Sequence, residues 1–298
     1  RAAGLAAYAR RLDHVAGITG AQVTGIRGDL ARIDLSYAPG PYTPQARAIA
    51  GQVRGVPAPP GATALVGGQT AALADELSSI GATLPWMALA VVIATFVLLF
   101  LAFGSLVLPL EAIAANVLSL SAMYGVVTWI FQDGHLSGLL GFTPNGTISP
   151  TIPVLMFAIM FGLSMDYEVF LLSRIREHYL ATGDNAASVA RGLASTARVI
   201  SAAAAIMVVV FLSNVLGADV SVKQIGLGLA VAVFVDATVV RLVLVPAVME
   251  LLGAANWWLP GWLDAILPRG LEAGAGTREG SGMSDRYGEV PESVGAAE

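Results

Sequence analysis

There is no cysteine anywhere in this chain, and only 12% of its 298 residues are charged. The first absence removes disulfide frameworks, thiol nucleophiles and cysteine-ligated zinc. The second is about half the roughly 25% typical of soluble domains, and beside a hydrophobic content of 56% it marks an integral membrane protein. Histidine is scarce too, and His14, His135 and His178 are too scattered to give a metal-ligand spacing. No glycine-rich loop leads into Lys-Ser or Lys-Thr, so there is no cradle for a nucleotide phosphate, and no cofactor is expected. No nucleophile and base stand in an arrangement that suggests an enzyme. The net charge of -5 comes largely from Glu272, Glu279, Asp285, Glu289, Glu292 and Glu298, and it argues against nucleic acid as a partner. The chain opens on Arg1, without Met or a short apolar signal region, and is expected to be a segment of something longer.

Polarity divides what is present. Residues 1–83 are polar enough for water, with a helical pattern over 2–12 and alternation of Ile33, Leu35 and Tyr37 with Arg32, Asp34 and Ser36. Arg27-Gly28-Asp29 reads as the turn between that strand and one over 22–26. Thr43 as N-cap and Pro44 at the first helical position open a helix carrying Ala46, Ile49, Ala50 and Val53 on one face. A short strand is expected at 62–66 and a further helix from about Thr70, giving a compact αββαβ layer. Residues 84–262 read as a bundle of five spans, at 84–103, 109–131, 152–172, 199–216 and 225–249, each near the roughly 20 apolar residues a bilayer needs. Segment 174–198 carries Arg174, Arg176, Arg191 and Arg198, while 132–150 has no Lys or Arg, so the positive-inside rule sets 174–198 and the C-terminus in the cytoplasm and the N-terminal layer outside. Trp86 and Trp257-Trp258 fit interfacial anchors. Residues 263–298, rich in Gly, Glu and Ser, are expected to be a disordered cytoplasmic tail.

Charge inside an apolar slab is expensive and by default functional. Asp166 lies about 21 Å along its span at 1.5 Å per residue, too deep to snorkel. Two readings stand for it: a carboxyl that takes up and releases a proton, or a permanently ionised, structurally paired one. Gly162 is the small residue on its face, and Tyr167 beside it is expected to hydrogen-bond a carboxylate from another helix. Glu168 is rotated about 200° from Asp166, so the two acids point to opposite sides and the helix should be central in its bundle. Asp236 and Arg241 stand about 140° apart on an α-helix, too far for a pair on one face. Arg241 is therefore expected to snorkel and Asp236 to latch a neighbouring helix. Glu111, in the first turn after Pro109, suits a helix N-terminus. The Ala202–Ala205 run and Gly226-Leu227-Gly228 read as packing faces.

The run Gly162-Leu163-Ser164-Met165-Asp166-Tyr167-Glu168-Val169-Phe170-Leu171-Leu172-Ser173-Arg174 closely resembles the tenth transmembrane helix of the MMPL family, within the resistance-nodulation-division superfamily. A second block is similar to that family's last helix and its exit: it runs from Gly228 through Phe234-Val235-Asp236-Ala237-Thr238-Val239-Val240-Arg241 and Val245-Pro246 to Asn256-Trp257-Trp258. The resemblance covers about 84–262; residues 1–83 match the family's second porter loop only in placement and pattern. It implies the half of a twelve-span transporter that holds spans eight to twelve, and proton-driven export of lipids, glycolipids or other hydrophobic compounds across a bacterial inner membrane. It also implies that Asp166 and Tyr167 are one half of a proton relay whose other half stands on the fourth helix. The missing partner is then either an N-terminal half or a second copy of this chain. A non-transporting scaffold or lipid sensor of the same fold, or a protein-translocation accessory, is the alternative.

Overall fold

Turn chemistry and caps shape the first part of the chain in the computed structural model, which describes residues 2–144, 146, 148–260 and 263. Helix α1 (Ala2–Asp13) leads into an antiparallel hairpin of β1 (Ile18–Arg27) and β2 (Leu30–Tyr37), with Arg27 opposite Leu30. Gly28 supplies the positive φ, 61°, that a two-residue hairpin turn needs. Helix α2 (Pro44–Arg54) starts where the sequence puts it: Thr43 is extended and its hydroxyl accepts from the Ala46 N–H at 3.3 Å. Tyr8, Leu12, Ile49 and Val53 are buried together against Ile33 and Leu35 of the hairpin. The expected strand at 62–66 does not form. Among the described residues the sheet has two strands only, Leu65 is 92% exposed, and this stretch pairs with neither strand.

The expected helix near Thr70 and the expected span from 84 are one helix, α3 (Gln69–Phe103), with Pro85 inside it. Its 35 residues reach about 52 Å at 1.5 Å each. That exceeds a hydrocarbon slab of about 30 Å, so its first turns stand outside the apolar layer. Helix α4 (Val107–Val127) ends in a π-turn, Thr128–Gln132, and a short α5 (Ser137–Leu140) follows. Then come α6 (Thr151–Thr182), α7 (Asn185–Ser213) and α8 (Val220–Val235). A nine-residue π-segment, Asp236–Leu244, joins α8 to α9 (Val245–Leu252). Among the described residues, five stretches are long and apolar enough to cross a membrane: Gln69–Phe103, Val107–Gln132, Thr151–Thr182, Asn185–Leu216 and Val220–Trp257. These elements all lie in one compact unit, Arg1–Trp258. The expected tail, 263–298, falls outside the described residues apart from Leu263.

Segment 174–198 is helical almost throughout. Helices α6 and α7 enter it from both sides and leave only Gly183 and Asp184 between them. Gly183 closes α6 at φ 68°, and the Asp184 carboxylate caps α7 by accepting from the Ala187 N–H. Glycine also sets how closely the helices approach. A Cβ at Gly192 would lie 3.0 Å from the Ile175 backbone, and one at Gly228 would lie 2.1 Å from Met156 Cε. Gly226 and Gly228 are thus packing positions as expected, whereas in the Ala202–Ala205 run only Ala204 is buried. At the Arg-bearing end, Trp257 stacks on Tyr179 at 4.2 Å and its indole N–H donates to Asn185 at 2.9 Å, tying the last helix to the α6–α7 turn.

Candidate functional site

Asp166 lies on an open face. Along α6, Leu155, Ala158, Gly162, Asp166, Phe170 and Ser173 are exposed in a stripe at three- and four-residue spacing, and a Cβ built on Gly162 would meet nothing within 4 Å. Among the described residues Asp166 has no hydrogen bond or ion pair. The expectation that α6 is central is therefore corrected for this chain. Helices α4, α7 and α8 pack on its other sides, and the Asp166 side is left bare. The expectation for Tyr167 changes as well: its hydroxyl donates to the thioether of Met207 of α7 at 3.4 Å rather than to a carboxylate. The Tyr167 ring lies 5.3 Å from the Arg241 guanidinium carbon, which joins the surface motif to a charge inside the bundle.

The interior holds the main departure from expectation. Asp236 and Arg241, read as too far apart to meet, form a buried ion pair, with Arg241 Nε donating to Asp236 Oδ2 at 2.9 Å and Nη2 reaching the same oxygen at 2.8 Å. The reason is the π-segment. Its hydrogen bonds close from i to i+5, so residues five apart stack on one face, whereas an α-helix would separate them by about 140°. Arg241 does not snorkel, being 2% exposed. Asp236 does reach neighbouring helices as expected: its Oδ1 accepts from Ser119 of α4 at 3.1 Å and from Ser164 of α6 at 3.0 Å. Arg241 Nη2 also donates to the Ser164 hydroxyl at 3.0 Å and to the Ser164 carbonyl. Four charged or hydroxyl side chains from three helices thus satisfy one another where water is excluded. Sequence reading missed Ser119 and Ser164, since a lone Ser in an apolar run carries no signal until its face is known.

Two acids remain. Glu168 is buried at 5% exposure, on the side of α6 away from Asp166, as the helical rotation requires. Glu111 is corrected from an N-terminal position: α4 begins at Val107, two residues before Pro109, so Glu111 lies beyond the first turn. Ser105 takes the capping role, accepting from the Val107 and Leu108 N–H groups. Both Glu111 carboxylate oxygens are buried with no hydrogen-bond partner. Lys223, the only lysine in the chain, is buried near the start of α8 and donates to the Leu140 carbonyl.

The model of the MMPL family matches residues 15–267. The chain is 46% identical over 207 residues to the mycolic acid-containing lipids exporter MmpL11 of Mycolicibacterium smegmatis, covering 70% of this chain and 22% of the relative. It is 42% identical over 215 residues to the trehalose monomycolate exporter MmpL3 of the same organism, covering 72% and 21%. It is 37% identical over 257 residues to the membrane protein YdfJ of Bacillus subtilis, covering 86% and 35%. The chain therefore spans between about a fifth and a third of the length of these relatives. With a family match across most of its length and five helices among the described residues apolar enough to span a bilayer, the chain is a membrane protein that belongs to the MMPL family.

Proposed function

We propose that this chain is one half of the transport core of a proton-motive-force-driven exporter of lipids or other hydrophobic compounds in a bacterial inner membrane. Residues 1–83 form an extracytoplasmic, porter-type layer, and the α6–α7 turn lies in the cytoplasm. The observation that carries this reading is the bare face of α6, where a carboxylate sits without a partner one turn from Gly162, an open position that would let another helix approach closely. A charge left open at that depth is costly, roughly 2.5 to 3.5 kcal/mol on insertion scales, unless a facing element or a proton neutralises it. Asp166 and Tyr167 are the protein's half of a proton relay, and the facing half comes from an N-terminal partner segment or a second copy. One proton moving down 100 mV releases about 2.3 kcal/mol, comparable to the cost of changing that charge. The relatives named as exporters of mycolic acid-containing lipids and trehalose monomycolate support a lipid as cargo.

The test is export of a labelled lipid by cells or proteoliposomes carrying the protein with its facing half, under an imposed proton gradient. Asp166→Asn should abolish gradient-driven export while leaving insertion and assembly intact. Undiminished export by that variant would refute the relay.

A further inference from the structure

Ser119 and Ser164 both touch Asp236 Oδ1, so they mark one level in the bundle on α4 and α6. From Ser119, Glu111 is eight residues back along α4, about 12 Å toward the end that carries the α6–α7 turn; from Ser164, Glu168 is four residues on, about 6 Å toward the same end. The two chains run in opposite directions, so both steps descend together, and Arg241 lies five residues past Asp236 on the same side. Glu111 and Glu168 thus stand within about 6 Å of each other along the bundle axis, both on the side of the Asp236 level that faces that end.

None of these groups is satisfied as Asp236 is. Both Glu111 oxygens are buried without a partner, and Glu168, 5% exposed, has no hydrogen bond or ion pair among the described residues. Arg241 Nη1 is likewise buried and unpartnered. Because the guanidinium is planar and presents Nε and Nη2 to Asp236, Nη1 points away from that carboxylate. The charges that face the pair are therefore Arg241 and Asp236 from the π-segment and each acid from the other's helix. Arg191 and Arg198 of α7 and Glu250 of α9 are exposed, and Asp75 and Glu76 of α3 stand at that helix's opposite end. The cluster holds three acids against one arginine, and Asp236 already takes the arginine. Two like charges in one water-poor site cannot both ionise.

We propose that Glu111 and Glu168 are a second proton-holding site, a carboxyl pair sharing one proton, set between the Asp236–Arg241 pair and the Arg-bearing end of the bundle. The proton enters from water by forming an O–H bond on one carboxyl and returns to water by breaking it, so that the site alternates around a single negative charge. This site stands on its own geometry, whether or not the exporter reading holds.

The test is an infrared titration of the protein in lipid nanodiscs, with isotope-labelled glutamate separating Glu from Asp bands. A protonated Glu carboxyl band should persist at neutral pH, where exposed glutamates, titrating near 4, are ionised. In Glu111→Gln the remaining Glu168, and in Glu168→Gln the remaining Glu111, should titrate at least about one pH unit away from its wild-type behaviour, the mark of coupled groups. Both variants are isosteric, and an unchanged circular dichroism spectrum and elution volume certify the fold. A wild-type protein with no Glu carboxyl band at neutral pH would overturn the proposal, as would single variants whose remaining acid titrates unmoved. Asp166→Asn should leave the band in place, so failure of the relay and failure of this site are told apart.

Discussion

The Asp236–Arg241 pair offers the sharpest test of how this bundle holds together. Asp236 is 4% and Arg241 2% exposed, and the carboxylate accepts from two arginine nitrogens and two serine hydroxyls. Replacing Asp236 with Ala removes all four contacts and strands a guanidinium in an apolar interior. Removing one partner of a buried pair costs about 3 to 5 kcal/mol, most of it the penalty of the orphaned charge. The sum of the two singles would then be about 6 to 10 kcal/mol. The double replacement Asp236→Leu with Arg241→Met removes both charges and fills the space with apolar volume, and should range from neutral to several kcal/mol stabilising. Unfolding in mixed detergent micelles, run on wild type, both singles and the double, gives the coupling directly. It should stand far above the roughly 0.5 kcal/mol scatter of independent sites. Singles that each lose less than about 1 kcal/mol, or a double that loses the sum of the singles, would refute the claim that these residues act as one neutralised unit.

Other outcomes follow from the same geometry. Gly192→Val should destabilise the α6–α7 contact by about 1 to 3 kcal/mol, because the new side chain meets the Ile175 backbone, which cannot swing aside. Gly162→Ala should change unfolding of this chain by less than about 0.5 kcal/mol, since nothing lies within 4 Å of its Cβ, yet should weaken association with a facing half measured by crosslinking. Thr43→Ala removes the α2 cap and should cost about 1 kcal/mol, read by hydrogen exchange across 44–54. The Asp34 carboxyl is held below its ordinary range by hydrogen bonds from Arg32 and Thr24. Its folded value is depressed, so any stabilisation from this exposed pair is present above the ordinary carboxylate range and is lost as pH falls through the folded value; Arg32→Ala should raise the Asp34 midpoint in an NMR titration.

How much was legible in advance depended on whether the signal was local. The Thr43-Pro44 cap, the Gly28-Asp29 turn and the five apolar stretches each state their structure within a few residues, and each was found. The opposite faces taken by Asp166 and Glu168 follow from helix rotation alone. The strand expected at 62–66 failed because a strand exists only with a neighbour to pair with, and the helices run past the spans expected at 152–172 and 199–216 because apolar length says where a helix enters lipid, not where it stops.

The amino-acid sequence by itself determined that this is a membrane bundle with a carboxylate set deep in its third span, because hydrophobic length and helical period are properties of contiguous residues. Only the tertiary structure decided which charges meet. The π-segment turns Asp236 onto Arg241, and Ser119 and Ser164 arrive from positions 117 and 72 residues before Asp236 to close the cluster. Those neighbours are set by helix packing and by a local change of helical pitch, and neither leaves a pattern that can be read along a single strand of text.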